Sequence, residues 1–324
     1  MVIVFFGTPQ FAVPTLEALI ASRHRVALVV TQPDRRRGRG QKVTDAPVKA
    51  AALEHGIPVY QPERLRDPAV TGVLRQHEPD VGVVAAYGKL IPADLLRLPR
   101  RGMLNVHASL LPKYRGAAPV HRAIINGEKE TGVTIMQMVE ALDAGDMLAT
   151  TALPIGADAT SDEIERALAQ SGARLLLDTL DRLDSGAIRA TPQDHASSTY
   201  AARLTKEEGV VDWTLSAQQI HNRVRGLYPW PHAYSFLDGT RLVILKTRLD
   251  DMRARPAADT PAGDATAVDD VPGTIVAIGR DAITVATGDG RILITEVQPD
   301  GRRPMAARDY LAGRPLQPGA KFGP

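Results

Sequence analysis

The sequence predicts an α/β sheet domain followed by a small all-β domain, on three observations. Short apolar, β-branched runs alternate with helix-period segments through the first half. Short strand patterns divided by turn signals crowd residues 233–297. A length of 324 residues suits two domains.

Val2 to Phe6, Val26 to Thr31 and Val81 to Ala86 are continuous runs, as expected of strands buried on both faces. Between the first two, Phe11, Leu16, Leu19 and Ile20 recur at helical spacing over Phe11 to Ser22. Pro14 fits only in the first turn of that helix. Thr44-Asp45-Ala46-Pro47 predicts the cap of a second helix ending near Gly56. Met103 to Val106, Val133 to Met138 and Met147 to Leu153 read as further strands. Ser161, with Ile164, Leu168, Leu175 and Leu176 behind it, predicts a long amphipathic helix over Ser161 to Leu183. The alternation gives a Rossmann-like, mostly parallel sheet with helices on both faces, spanning residues 1–188. Ligands of such sheets bind beyond the carboxyl ends of the strands. Residues 189–206 lose periodicity and read as a linker.

Over residues 207–324 the texture changes. A helix from Ser216 to Arg225 precedes strands at Ala233 to Leu237, Leu242 to Thr247, Gly273 to Ile278, Ile283 to Thr287 and Ile292 to Val297. Asp238-Gly239 and Asp289-Gly290 are the turn signals. That pattern predicts an OB-like β-barrel. Residues 250–271 hold six Asp against two Arg, with many Ala, Pro and Thr, and read as a flexible acidic insertion.

Composition narrows the function classes. Thirty-nine Lys and Arg face 37 Asp and Glu, a net charge of +2, which excludes a polybasic protein but not a local basic patch. The absence of cysteine excludes disulfides, thiolate metal sites and a thiol nucleophile. Only 4% of residues are aromatic, which argues against a generic single-strand binder built on stacking platforms. No apolar run approaches the ~18 residues a membrane span needs. The run from Val2 to Phe6 has no basic stretch before it and stops at Gly7-Thr8-Pro9, unlike a signal peptide. A cytoplasmic protein is expected.

The densest chemical constellation runs from Asn105 to Pro119. Asn105 and His107 lie two residues apart at a strand end, so their side chains leave the same face. An amide N–H can hold a developing oxyanion, and an imidazole can move a proton. In Leu142-Asp143-Ala144-Gly145-Asp146, either aspartate could orient that imidazole; sequence alone leaves both open. Ser109 lacks the glycine-flanked elbow of a nucleophilic serine. The eight histidines include no i, i+4 pair beside a glutamate, so no metal site is expected. Gly7-Thr8-Pro9 after the first strand is neither a dinucleotide fingerprint nor a P-loop and predicts a small polar-ligand contact. From Thr31 to Lys49, Arg35, Arg36, Arg37, Arg39, Lys42 and Lys49 face only Asp34 and Asp45, and Gly38 and Gly40 make the loop pliant. Such a loop suits a polyanionic substrate.

These motifs resemble the folate-dependent formyltransferases nearly end to end. The resemblance is carried by Gly7-Thr8-Pro9-Gln10-Phe11-Ala12, Thr31-Gln32-Pro33-Asp34-Arg35, Ala86-Tyr87-Gly88 and the block from Asn105 to Pro119. It continues through Thr131 to Met138, Leu142 to Asp146 and Asp212-Trp213. Asn-x-His-x-Ser-Leu-Leu-Pro with a downstream Leu-Asp-x-Gly-Asp marks the family. The basic loop, the longer run to Pro119 and the barrel resemble its methionyl-tRNA branch. The resemblance implies catalytic Asn105, His107 and Asp143, the last over Asp146. It implies folate contact at Ser109, Leu110, Leu111 and Pro112, and tRNA contact at Arg35, Arg36, Arg37, Arg39 and Lys42, with the barrel holding the acceptor arm. The implied reaction moves a formyl group from 10-formyltetrahydrofolate to the amine of methionyl initiator tRNA, in a monomer without a metal. Arg36, Arg37 and the 250–271 insertion depart from the family pattern. Other acceptors (a sugar nucleotide, a purine precursor), a hydrolase releasing formate and a non-enzymatic tRNA binder remain as alternatives.

Overall fold

The computed structural model describes residues 1–34, 44–250 and 271–323, together with the backbone of 36–37 and 42–43. The expected tRNA contacts Arg35 and Arg39, and nearly all of the expected acidic insertion, lie outside the described residues. So do the side chains of Arg36, Arg37 and Lys42. The chain forms two compact units. The first comprises Met1–Val120, Glu130–Pro154 and Glu163–Arg203, and the second His121–Lys129, Ile155–Asp162 and Leu204–Pro324.

The strands of the first unit are β1 (Val2–Gly7), β2 (Arg25–Val30), β3 (Val59–Tyr60), β4 (Val81–Ala85), β5 (Met103–His107), β6 (Glu130–Gln137) and β7 (Met147–Pro154). Their order in the sheet is β7-β6-β5-β4-β1-β2-β3. From β5 to β3 all pairings are parallel, whereas β6 and β7 run antiparallel at one edge. Helices α1 (Val13–Ile20), α2 (Pro47–Glu54), α3 (Pro68–Arg75) and α4 (Ser161–Asp184) connect or close it. Phe5 and Phe6 are both 0% exposed, so both faces of β1 are covered, as its unbroken apolar run requires. On one face Val4, Phe6, Val84 and Met103 cluster with Val70 and Leu74 of α3. On the other, a Cβ at Gly172 of α4 would stand 3.0 Å from Val106, so glycine lets that helix approach the sheet closely.

Pro14 lies in the first turn of α1, as its fixed φ demands. The expected cap of α2 differs. Ala46 is the extended N-cap residue, with no side-chain cap bond, and Pro47 opens the helix. Asp45 instead pairs with Lys49 one turn on, at 2.7 Å. Proline's preset φ and this i, i+4 ion pair stabilise the first turn in place of a capping bond. Residues 191–201, expected within the linker, are bonded into the first unit. Thr191 exchanges two backbone hydrogen bonds with Met147, and Tyr200–Ala201 pairs in parallel with Arg115–Gly116.

In the second unit, α5 (Ala217–Gly226) starts at Ser216, whose hydroxyl and Gln219 form a reciprocal capping box. Strands β8 (Ala233–Leu237), β9 (Thr240–Leu249), β10 (Ile275–Ile278), β11 (Ile283–Ala286), β12 (Arg291–Pro299) and β13 (Phe322–Gly323) follow, with α6 (Ala307–Gly313) before the last. The sheet order is β10-β11-β12-β9-β8-β13. The Ile275 N–H donates to the Ala320 carbonyl and the Phe322 N–H to the Gly273 carbonyl, each at 2.8 Å. These bonds join the two edges and curl the sheet into a small barrel, as expected. Trp213 stacks on Phe322 at 5.2 Å inside it.

Candidate active site

The period of two along β5 sends the side chains of Asn105 and His107 out on one face, at the carboxyl end of a parallel strand. His107 is 6% exposed. Its Nδ1 lies 3.8 Å from Oδ2 of Asp143, and Asn105 Nδ2 lies 3.4 Å from Oδ1 of the same carboxylate. Of the two aspartates that the sequence left open, Asp143 is the one brought to His107. Asp146 accepts the Gln137 N–H through its backbone carbonyl at 2.9 Å. The second ring nitrogen, Nε2, lies 3.0 Å from the Tyr114 carbonyl. A carbonyl only accepts, so Nε2 carries a proton. Nδ1 is then the nitrogen left facing the carboxylate.

The segment from Ser109 to Pro112 follows His107 directly and is locked in place. Ser109, 0% exposed, donates its hydroxyl to the Lys113 carbonyl at 2.7 Å. Thr134 of β6 donates to the Ser109 carbonyl at 2.7 Å and accepts from the Leu111 N–H at 3.2 Å. The Leu110 side chain covers Gly132, where a Cβ would collide with it and with the Thr151 carbonyl. Leu111 is buried, whereas Leu110 and Pro112 keep part of their surface exposed.

Sequence reasoning missed several residues that hold this site. The Gly116 N–H donates to Oδ2 of Asp143 at 2.9 Å. Gln193 donates to the carbonyls of Asp143 and Gly145, and Arg115 donates to Gln193. Backbone groups carry most of these contacts, and every residue type has a backbone. The only signal available was Gly116 itself, at φ +111°, a conformation that favours glycine.

Beside Gly7-Thr8-Pro9, where a polar contact was expected, lies a cavity of ≈ 260 Å³. Thr8, Gln32, Asp34, Tyr87 and Gly88 are among the residues that line it. Gln32 donates to the Tyr87 carbonyl at 2.7 Å, and Gln61 donates to Asp34 at 3.0 Å. A hydrogen bond from Lys49 holds the Asp34 carboxyl below the usual carboxylate range. Asp34 and Asp45, the two acids of the basic stretch, both pair with Lys49. A second cavity of ≈ 690 Å³ is walled by Leu96, Met103, Met138 and Val139, with Arg97, Arg100 and Arg101 also lining it. Among the described residues, no group of three His, Asp or Glu side chains is placed to hold a metal ion.

Residues 1–180 match the family model described as formyl transferase, and residues 203–315 match the formyl transferase C-terminal domain. The methionyl-tRNA formyltransferase of Geobacter metallireducens is 46% identical over 99% of this chain and 98% of its own length. That of Heliobacterium modesticaldum is 49% identical over 100% of both chains. Among solved structures, the sugar 3N-formyl transferase WlaRD is similar with a TM-score of 0.65 at 17% identity, covering 94% of this chain and 99% of that one. HypX from Aquifex aeolicus, in complex with tetrahydrofolic acid, gives a TM-score of 0.60 at 17% identity, over 99% of this chain and 50% of that one. Likeness at such identities speaks to the fold.

Proposed function

Because the chain belongs to the formyl transferase family, we propose that it moves the formyl group of 10-formyltetrahydrofolate to the free amine of methionyl initiator tRNA, giving N-formylmethionyl-tRNA. The observation that carries this reading is the convergence of Asn105, His107 and Asp143 at the carboxyl end of β5. The neutral amine attacks the formyl carbon, and the carbonyl oxygen becomes an anion. The Asn105 amide supports that anion; its bond to Asp143, at 3.4 Å, is long enough to be given up. His107 takes the amine proton at Nδ1, because Nε2 is engaged with the Tyr114 carbonyl, and the Asp143 carboxylate stabilises the resulting imidazolium. The same proton passes to the folate nitrogen as the carbon–nitrogen bond to the donor breaks.

The donor is a flat aromatic ring system carrying carboxylates. The larger cavity suits it, with an apolar wall of Leu96, Met103 and Met138 and cationic Arg97, Arg100 and Arg101. The ordered segment from Ser109 to Pro112 is proposed to contact it as well. Arg35, Arg36, Arg37, Arg39 and Lys42 are proposed to hold the phosphates of the acceptor end, in a monomer working in the cytoplasm. Among the described residues no helix is long and apolar enough to cross a membrane.

The test is consumption of 10-formyltetrahydrofolate with each acceptor in turn. Donor loss only with methionyl-tRNA is the expected result. Loss without any acceptor would make the protein a hydrolase, and loss with a sugar nucleotide or purine precursor would reassign the substrate.

A further inference from the structure

Asp143 sits at φ +47°, which is unfavourable for a residue with a Cβ and needs support from its surroundings. Gln193 supplies that support. It is 5% exposed, and its Nε2 donates to the carbonyls of Asp143 at 2.9 Å and Gly145 at 2.7 Å. Its Oε1 accepts from Nε and Nη2 of Arg115 at 3.1 and 2.7 Å. A guanidinium only donates and a carbonyl only accepts, so the amide has one orientation here. Thr191, two residues earlier, is paired to Met147 at the foot of β7, which carries Gln193 alongside the turn.

These bonds close a ring. Arg115 fixes Gln193, Gln193 fixes the Asp143 backbone, and the Asp143 carboxylate accepts from Gly116, the residue next to Arg115. We propose that Gln193 is a positioning residue for formyl transfer: it fixes the turn that presents the Asp143 carboxylate to His107. The inference rests on the reading that Asp143 orients His107. A side chain that merely fastened two surface segments would not need to be buried, oriented and aimed at the carbonyl of the proposed catalytic aspartate itself.

The experiment compares wild type, Gln193→Met, Gln193→Asn, Asp143→Asn and the double variant Gln193→Met with Asp143→Asn. Steady-state formylation of methionyl-tRNA is measured, and folding is checked by circular dichroism. Gln193→Met keeps the size of the side chain and loses all four bonds. We expect kcat to fall about 10- to 100-fold, as for an ångström-scale misplacement, with KM for both substrates within about twofold of wild type. Gln193→Asn keeps the amide but withdraws it by one methylene; an intermediate kcat is expected, and it carries the test if the Met variant does not fold. In the Asp143→Asn background, Gln193→Met should add less than about threefold, because both changes act through one carboxylate. A wild-type kcat in folded Gln193 variants, or losses that multiply in the double variant, would overturn the proposal. A wild-type kcat in Asp143→Asn would instead remove the catalytic reading on which it rests.

Discussion

The backbone N–H of Gly116 donates to the Asp143 carboxylate at 2.9 Å, on the same oxygen that stands 3.8 Å from His107. One peptide group therefore fixes how far that oxygen reaches toward the imidazole. Gly116 is at φ +111°, and a Cβ there would come within 2.6 Å of the Tyr200 ring and 2.9 Å of the Ala201 carbonyl. Gly116→Ala should lower stability by about 1–3 kcal/mol and displace its N–H from the carboxylate. Thermal denaturation and formylation kinetics are the measurements. Catalytic efficiency should fall at least about tenfold in the folded variant, in keeping with a misplaced catalytic group. Unchanged kinetics would separate Gly116 from the site.

Gly132 does the same service for the segment after His107. A Cβ at this position would collide with Leu110 and with the Thr151 carbonyl. Overpacking of this kind costs about 1–3 kcal/mol. Gly132→Ala should weaken tetrahydrofolate binding, measured calorimetrically, if the run from Ser109 to Pro112 contacts the donor. Unchanged affinity in a folded variant would remove that segment from the donor site.

Burial pushes the His121 imidazole down to about 4, and burial also lowers His221 and His232. All three belong to the second unit. The folded protein keeps His121 neutral, whereas the unfolded chain protonates it near pH ~6.5. Between these values the unfolded state binds more protons. The stability from His121 is thus complete above about pH 6.5 and is lost as pH falls toward 4. Both tryptophans, Trp213 and Trp230, lie in this unit, so their fluorescence reports its unfolding. The urea midpoint should drop on acidification, and His121→Gln should flatten that dependence. Parallel curves for wild type and variant would refute the assignment.

Asp34 and Asp45 are both paired with Lys49, so the surplus charge of the basic stretch falls on Arg35, Arg36, Arg37, Arg39 and Lys42. Neutralising Arg36, Arg37 and Arg39 together should weaken tRNA binding and flatten its dependence on salt. The logarithmic slope should fall by roughly 0.7–0.9 for each phosphate that is no longer neutralised. Filter binding across a salt series measures it. An unaltered slope would mean that these arginines do not meet phosphates.

Much of the fold was legible because period and burial agree. Val2 to Phe6 reads as a doubly buried strand, and Ser216 with Gln219 caps the helix it announces. The helices over Pro68–Arg75, Pro119–Ile125 and Ala307–Gly313 went unread, although Pro68–Arg75 is as long as α1 and α2 and opens on Asp67-Pro68, a capping residue and a first-turn proline that the sequence displays. At the candidate site, a spacing of two on a strand was enough to put Asn105 and His107 on one face, whereas their proposed role came from the resemblance. Asp143 could not be told from Asp146 by residue type, because the choice depends on how the turn is held. Gln193 was invisible for the same reason: its targets are carbonyl oxygens, which no residue type announces, and its segment lacks periodicity.

The most direct test of the proposed chemistry is single-turnover formylation of methionyl initiator tRNA by Asn105→Ala and His107→Ala, with folding verified for each. The proposed mechanism predicts rates lower by about 10²–10³ for loss of an oxyanion donor and a comparable or larger loss for the proton carrier. Wild-type rates in both folded variants would contradict it.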